Sequence, residues 1–218
     1  MLSVTTIAWA LVNPVPMETN GPYKNGINDA CGGCTGNNTC CSGSCVNMQT
    51  DNNNCGSCGN HCGSICANGS CLVCFVPGTK VLLANGKSAA IESLKTGDIL
   101  LGSKGTHNKV IDLVTMPKES RKIYAFNNGR YFVTGSHPFM TRDGWKAIDP
   151  PMAQQENPQI KIGQLKIGDE LVTYNGSILL KKIKLKTINN SVVYNPVLDG
   201  SHEYYADGYL VHNKGVQP

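Results

Sequence analysis

The side chains best suited to chemistry lie at the two ends of one stretch of this 218-residue chain. Cys74 comes at its start, and the pair His212 and Asn213 comes at its end. Three histidines lie between them, and two of these follow a Gly-Ser pair, His137 in Thr-Gly-Ser-His and His202. A cysteine thiolate is a nucleophile, histidine transfers protons near neutral pH, and asparagine can cyclise onto its own carbonyl. This combination predicts a stretch of chain that cuts the backbone at its own edges.

Each of these residues also has an ordinary structural interpretation. A lone cysteine at the edge of a domain is usually an inert thiol. His137 precedes a proline and can simply end a strand, and a terminal His-Asn pair can form a turn. The chemical interpretation therefore depends on the whole set. It also requires a fold that brings the two ends together, as antiparallel β folds commonly do.

The elements that must position these residues are strands. Between residues 74 and 213, short apolar and β-branched stretches alternate with turns rich in Gly, Asn and Asp. Asn-Gly between two apolar stretches is a strong hairpin signal. It occurs at Asn85-Gly86, Asn128-Gly129 and Asn175-Gly176. Helical patterns are limited to Ala89–Leu94 and Trp145–Gln155, so we predict an all-β domain of short strands.

A ten-residue motif occurs twice within this region. Ile91–Leu100 reads IESLKTGDIL and Ile162–Leu171 reads IGQLKIGDEL, so both contain Leu-Lys-x-Gly-Asp-x-Leu at an offset of 71 residues. A Gly-Asp pair suits a turn that leads into a strand. Two copies half a domain apart predict a pseudo-twofold fold built from a duplicated unit.

The cysteines divide the chain. It has 11, an odd number, and ten of them precede residue 72. These ten are Cys31, Cys34, Cys40, Cys41, Cys45, Cys55, Cys58, Cys62, Cys66 and Cys71. Two Cys-x-x-Cys pairs and His61 raise the alternative of zinc, but adjacent cysteines and an even total favour five disulfide bonds. Residues 31–71 are therefore predicted to be a small disulfide-rich module, with Cys74 left over.

The composition limits which classes of partner and which cellular location we expect. The formal net charge of +4 is too weak to indicate a nucleic-acid partner. The sequence contains no apolar run of about 20 residues, so it predicts no transmembrane helix. Residues 1–30 are expected to be a leader or linker, with one signal-like apolar stretch, Leu2–Val12, that no basic residue precedes. Disulfide bonds indicate an oxidising compartment, so we expect a secreted or extracellular protein.

Residues 31–71 resemble the stigma-specific cysteine-rich family. The motifs that carry this resemblance are Cys40-Cys41 through Cys45, the sequence DNNNCGSC from Asp51 to Cys58, Gly59–Cys62, and Cys71. An unrelated secreted disulfide module is the alternative.

The chain from Cys74 to Asn213 resembles a Hint domain, the fold shared by inteins, bacterial intein-like domains and the autoprocessing domain of Hedgehog proteins. Five ordered motifs carry the resemblance. They are Cys74–Val81 (CFVPGTKV), Ile91–Leu100, Val133–Phe139 with its Thr-x-x-His, the stretch from Val193 to His202, and Leu210–Asn213 (LVHN). The resemblance implies a horseshoe-like, all-β, pseudo-twofold fold that spans residues 74–213, with residues 214–218 as a short flank.

The resemblance also implies roles at the first edge. Cys74 would attack the carbonyl carbon of Val73 and turn the Val73–Cys74 peptide bond into a thioester. Thr134 and His137 would hold the amide that is cut, and His137 would protonate the departing amine.

At the second edge, Asn213 would attack its own carbonyl with its side-chain nitrogen and release Lys214. His212 and His202 would assist by hydrogen bonding and proton transfer near that carbonyl. The substrate would be the chain's own flanking segments, and the resemblance implies neither a metal nor a cofactor.

Two residues depart from the pattern of splicing inteins. Those proteins have Cys, Ser or Thr where this chain has Lys214, because that side chain must accept the acyl group. We therefore expect cleavage at one or both ends rather than splicing, with water or an external nucleophile as the acyl acceptor. Asn195 stands where many inteins have aspartate. The competing hypothesis is a secreted binding or adhesion protein whose β domain is an inactive scaffold.

Overall fold

The computed structural model describes residues 31–62, 65–67, 69–72 and 74–213. The leader-like residues 1–30, the expected cleavage neighbours Val73 and Lys214, and the C-terminal flank 214–218 lie outside this part of the chain. Within the described part, no helix is long and apolar enough to cross a membrane.

Strands dominate the structure. They are β1 (Thr39–Cys41), β2 (Ser44–Val46), β3 (Ile65–Ala67), β4 (Ser70–Leu72), β5 (Lys80–Leu82), β6 (Ser88–Ala90), β7 (Ile99–Leu101), β8 (His107–Phe126), β9 (Phe139–Thr141), β10 (Gly144–Ala147), β11 (Gly163–Gln164), β12 (Glu170–Thr173), β13 (Gly176–Leu179), β14 (Ile183–Leu198), β15 (Glu203–Ala206) and β16 (Tyr209–His212). The α-helix is α1 (Pro150–Glu156), and single 3-10 turns lie at Ile91–Ser93 and Ser103–Gly105. The prediction of a mostly β fold is confirmed.

The strands after Cys74 form two sheets. The larger runs in the order β11-β10-β9-β12-β16-β15-β5-β6, with β13 paired to β12, and the smaller runs β14-β8-β7. The hairpin β15–β16 lies near the middle of the larger sheet and ends at His212, with Glu203 opposite His212. The predicted Asn-Gly turns at residues 85–86 and 175–176 join β5 to β6 and β12 to β13. The larger sheet therefore carries His212 at the end of a central strand, with Asn213 directly after it.

Aromatic side chains from separate parts of the sequence fill the interior. Phe126, Phe132 and Phe139 are each 2% exposed or less. Phe126 meets Phe139 edge-on at a centroid distance of 4.9 Å and Phe132 at 5.5 Å. This geometry is favourable because the positive edge of one ring faces the negative face of the other. The cluster anchors both ends of the loop that carries Thr134 and His137.

Two strands are much longer than predicted. β8 has 20 residues and β14 has 16, and they pair antiparallel along most of their length. The expectation of short strands throughout is wrong here, because part of this two-stranded ribbon is exposed and needs no regular apolar alternation. The pairing register between the two strands shifts on both sides of Ser191, which indicates β-bulges there.

The repeated motif forms two equivalent turns, which confirms the duplicated unit. In the first copy, the backbone nitrogen of Lys95 donates to the carboxylate of Asp98 at 2.8 Å. In the second copy, the backbone nitrogen of Lys166 donates to the carboxylate of Asp169, also at 2.8 Å. Each turn leads into a strand of the same relative position, β7 in the first copy and β12 in the second. The sequence repeat is thus a structural repeat.

The segment before Cys74, called here the disulfide-rich segment, contains two small hairpins, β1–β2 and β3–β4. The disulfide bonds are Cys31–Cys40, Cys34–Cys45, Cys41–Cys58 and Cys55–Cys66. Cys62 is also half of a disulfide bond, whereas the side chain of Cys71 lies outside the described part. The predicted disulfide-rich character is confirmed. The resemblance to the stigma-specific family stays a prediction.

Candidate autoprocessing site

Thr134 holds the backbone of Cys74 from two sides. Its Oγ1 accepts a hydrogen bond from the Cys74 nitrogen at 3.0 Å and lies 3.3 Å from the Cys74 carbonyl oxygen. Its own backbone nitrogen donates to the same carbonyl at 3.0 Å. Both residues are buried, and hydrogen bonds shielded from water are electrostatically stronger. The Cys74 nitrogen belongs to the peptide bond with residue 73, so Thr134 binds the amide at the first predicted cleavage edge.

Short antiparallel pairing explains this arrangement. Phe75 pairs with Val133 on one side and with Tyr194 on the other, as isolated bridges. The backbone nitrogen of Val76 also donates to the Phe132 carbonyl at 2.9 Å. The chain at residues 74–76 is thereby held between the loop after β8 and strand β14. A side chain at residue 134 must then face the Cys74 backbone.

Cys74 is a free thiol with no exposed surface. Burial raises the pKa of this thiol strongly, the charge of Glu156 raises it further, and the charge of Arg121 acts in the opposite direction. The thiol is therefore protonated at neutral pH, and its attack requires a group that takes its proton.

His137 lies close to this backbone and is fully buried. Its ring packs against Phe75 at a centroid distance of 4.2 Å. Neither ring nitrogen has a hydrogen-bond partner among the described residues. Burial lowers the pKa of His137 well below its usual value, and His212 lowers it further. A neutral imidazole carries one N–H and one lone pair, so it can accept one proton and donate another.

Asn213 ends the described chain in a fully buried position. Its backbone nitrogen donates to the His202 carbonyl at 2.9 Å, and its side-chain amide donates to the Pro196 carbonyl. His202 itself has a positive φ of 59°, and its Nδ1 lies 3.0 Å from the Leu198 carbonyl oxygen. These bonds fix the side-chain nitrogen that the sequence predicts as the attacking atom.

The ring of His212 lies between aromatic and polar neighbours. Its Nδ1 is 2.9 Å from the Asn157 Oδ1. Its centroid is 5.3 Å from the ring of Trp145 and 6.1 Å from that of His202. Burial lowers the pKa of His212 to about 4, the charge of His202 adds to this, and a hydrogen bond with the Asn213 backbone opposes it. His212 is therefore neutral at pH 7.

The two edges of the domain meet. The His212 backbone nitrogen donates to the Pro138 carbonyl at 3.2 Å, next to His137 in the chain. Burial raises the pKa of Tyr204 well above its usual value, the neighbouring Cys74 adds to the rise, and Asn213 opposes it. Tyr204 thus lies near both Cys74 and Asn213. The structure places all six candidate residues of the sequence, including Thr134 and His202, around one buried region.

Four further residues of this region carry no signal in the sequence. Arg121, Glu156, Asn157 and Tyr204 are all buried, and each lies near a candidate residue. A motif search finds residues at fixed spacing from a nucleophile, and these lie on elements with their own sequence context. Only the three-dimensional packing of β8, α1 and β15 identifies them.

Helix α1 also joins the site to the disulfide-rich segment. Asp149 accepts from the Met152 backbone nitrogen at 3.4 Å, which caps the start of the helix. The Met152 side chain is 5% exposed. It packs against the half-cystines Cys55, Cys62 and Cys66. On the same helix, Gln155 donates to the Asn60 side chain at 3.1 Å. The segment that precedes Cys74 therefore rests on the helix whose end reaches His212.

Comparison with known proteins bears on the fold of this region. Residues 74–138 match the family model described as Hom_end-associated Hint. No curated protein resembles the chain closely enough to count as a match. Among solved structures, a variant of the Ssp DnaB mini-intein is 17% identical, with a TM-score of 0.51 over 66% of this chain and 97% of that one.

Two other solved structures are similar in extent. A bacterial intein-like domain from Clostridium thermocellum is 26% identical, with a TM-score of 0.49 over 64% of this chain and 98% of its own. The gp41-1 intein is 23% identical, with a TM-score of 0.49 over 65% of this chain and 99% of its own. The family match begins at Cys74, and the mini-intein superposition supports the same fold. The chain is therefore a disulfide-rich segment followed by a domain of the Hint fold.

Proposed function

We propose that residues 74–213 form an intein-like autoprocessing domain that cuts the chain in cis at Val73–Cys74 and at Asn213–Lys214. The observation that carries this proposal is the contact between Thr134 and the Cys74 amide. A free buried thiol sits beside a peptide nitrogen that is already hydrogen-bonded to a buried hydroxyl.

The first step is an N-to-S acyl shift. The Cys74 sulfur attacks the Val73 carbonyl carbon, a C–S bond forms and the C–N bond breaks. One proton moves from sulfur to nitrogen, so the step is balanced without a cofactor. His137 is suited to carry that proton because its ring is neutral and because, among the described residues, neither ring nitrogen is hydrogen-bonded.

The second step is cyclisation of Asn213. Its side-chain nitrogen attacks its own backbone carbonyl carbon, a ring closes, and the bond to the nitrogen of Lys214 breaks. The side-chain nitrogen loses a proton and the Lys214 nitrogen gains one. His212 and His202 would assist this step. The neutral state of the His212 ring and its hydrogen bond with the Asn213 backbone support the first role, and the 6.1 Å distance between the His202 and His212 ring centroids supports the second.

The identity of residue 214, directly after the domain, determines which products form. Lys214 offers no hydroxyl or thiol, so the thioester passes to water or to an external nucleophile and the flanks are not joined. The substrates are the chain's own flanks, of which residues 31–71 are one. The disulfide bonds of that flank fit an oxidising, extracellular location. In such a compartment Cys74 must stay reduced to act.

Intact-mass spectrometry of the purified chain tests this proposal. During incubation at neutral pH with dithiothreitol, we expect fragments that end at Val73 and at Asn213. The variant Cys74→Ala removes only the first cut, and Asn213→Ala removes only the second. If the mass of the full chain persists in all three proteins, the domain is an inactive scaffold and the competing hypothesis of a binding or adhesion protein stands.

A further inference from the structure

The contact between Asn157 and His212 fixes the chemistry of one ring nitrogen. The Asn157 side-chain nitrogen donates to the Ala153 carbonyl at 2.9 Å, so its Oδ1 must face the other way. That oxygen is 2.9 Å from the His212 Nδ1. An amide oxygen only accepts hydrogen bonds, so Nδ1 must carry the hydrogen. The neutral ring then has its lone pair on Nε2.

Asn157 is well built for this task. It is fully buried, and its backbone nitrogen also donates to the Ala153 carbonyl, at 3.1 Å, as the C-cap of α1. A flip of its side-chain amide would bring its own oxygen close to the Ala153 carbonyl oxygen, and the two acceptors would repel each other. The ring of Trp145 packs edge-on against His212 and restricts rotation of the imidazole. Both partners of the hydrogen bond are thus held before any reaction begins.

The choice of tautomer matters because the two ring nitrogens do different chemistry. Which nitrogen carries the proton is set by the hydrogen bond that the other one makes. If Nδ1–H is fixed, Nε2 is the nitrogen that can take up a proton during cyclisation of Asn213. If the tautomer were free to change, a fraction of the molecules would present an N–H where a lone pair is needed.

We propose that Asn157 is a positioning residue that holds His212 in its Nδ1–H tautomer, with Nε2 as the nitrogen that exchanges a proton with the reacting Asn213. The importance of this tautomer for cleavage rests on the proposed function. The tautomer itself does not, and it can be measured in a chain that cannot cut.

The first test is nitrogen NMR of the histidine rings at pH 7 in the inactive chain Cys74→Ala/Asn213→Ala. We expect the His212 Nδ1 to show a bonded proton and Nε2 to show the shift of an unprotonated nitrogen. Asn157→Leu removes the acceptor at similar size and should shift the ring toward the Nε2–H form. Asn157→Asp keeps an acceptor oxygen and should retain Nδ1–H, with a loss of stability because its second oxygen then faces the Ala153 carbonyl.

The outcome that overturns the proposal is an Nε2–H or doubly protonated His212 in the parent chain, or an unchanged Nδ1–H signal in Asn157→Leu. The parent measurement decides the matter even if the leucine variant does not fold, because it needs no substitution at residue 157.

The second test is the rate of cleavage after Asn213 in the Cys74→Ala background. We expect Asn157→Leu to slow it by about 10²-fold and Asn157→Asp to retain most of the rate, as for loss of a correctly placed acid–base group. If the parent cuts and the leucine variant cuts equally fast, Asn157 has no positioning role. If the parent does not cut, the proposed function fails, while the NMR result still stands.

Discussion

The side-chain oxygen of Thr134 accepts a hydrogen bond from the backbone nitrogen of Cys74 at 3.0 Å, although 60 residues separate them. The same threonine also donates its backbone N–H to the Cys74 carbonyl. One buried residue therefore binds Cys74 on both sides of its α-carbon, and the contact on the nitrogen side is to the amide that is expected to break. A contact of this kind can stabilise the amide nitrogen as it pyramidalises and leaves.

Replacing Thr134 by valine should slow cleavage before Cys74. Valine keeps the shape of threonine but removes the oxygen that binds the Cys74 amide. The loss of one buried hydrogen bond at a reacting group corresponds to roughly 10–10²-fold in rate. The measurement is the rate of appearance of the fragment ending at Val73, followed by mass spectrometry.

Thr79 provides the matched control. It is as buried as Thr134, and its hydroxyl donates to the Val76 carbonyl at 2.8 Å, but it makes no bond to Cys74. Thr79→Val should therefore lower stability by a similar amount and leave the cleavage rate near that of the parent. Equal slowing in both valine variants would mean that Thr134 acts only through stability.

Acid should weaken the fold through His212. Its pKa is about 4 in the folded chain and 6.5 in a free histidine, with burial as the main cause. The unfolded chain binds this proton as the pH falls below about 6.5 and the folded chain does not, so the associated stability is present above that pH and is lost as the pH falls toward 4. The full effect is at most about 3 kcal/mol.

Urea unfolding of the inactive chain at pH 7 and at about pH 4.5 measures this effect. His212→Gln should lose less stability on acidification than its parent. The nearby His202 and His137 are present in both chains, and His137, whose pKa is also lowered, adds a loss in the same direction. An identical loss in the two chains would show that His212 is not held neutral by the fold.

The two copies of the repeated turn should differ in stability. Asp169 forms a buried ion pair with Lys146 at 2.7 Å, while Asp98 is half-buried. Burial alone would raise the pKa of Asp169, but hydrogen bonds from Lys146 and from the Lys166 backbone lower it on balance. Asp169→Ala leaves the Lys146 ammonium with only the exposed carboxylate of Asp143, 3.2 Å away, and should cost about 3 kcal/mol, against about 1 kcal/mol for Asp98→Ala. Equal free energies of unfolding for the two variants would show that the Lys146 pair adds nothing.

Thiol counting should distinguish Cys74 from the other cysteines. Because Cys74 has no exposed surface, iodoacetamide should label the native chain slowly. After unfolding in guanidinium without reductant, we expect one labelled thiol per chain, at Cys74. Two or more labels would contradict the expectation that all ten upstream cysteines are paired.

The sequence predicts the fold well where local patterns decide it. The Asn-Gly turns and the Leu-Lys-x-Gly-Asp repeat encode hydrogen bonds between residues three apart, and both recur in the structure. The lengths of β8 and β14 could not be predicted in this way, because they are set by the pairing between the two strands and not by a pattern within either strand. In the amino-acid sequence alone, the polar residues of an exposed two-stranded ribbon look the same as the polar residues of a loop.

The candidate site divides in the same way. Cys74, His212 and Asn213 are recognisable because their positions at the edges of a pattern are unusual. Asn157 is not recognisable, because its importance comes from a contact with His212, which lies 55 residues further along the chain. Arg121 and Glu156, which influence the pKa of Cys74, are likewise visible only once β8 and α1 pack beside it.

The most direct test of autoprocessing uses the variant Asn213→Ala, in which only the cut before Cys74 can occur. The folded variant is incubated with dithiothreitol at neutral pH, and its intact mass is recorded over time. We predict two new species, one ending at Val73 and one beginning at Cys74, and neither when Cys74→Ala is added. A single undiminished mass of the full chain, in protein shown by circular dichroism to be folded, would contradict autoprocessing at this edge.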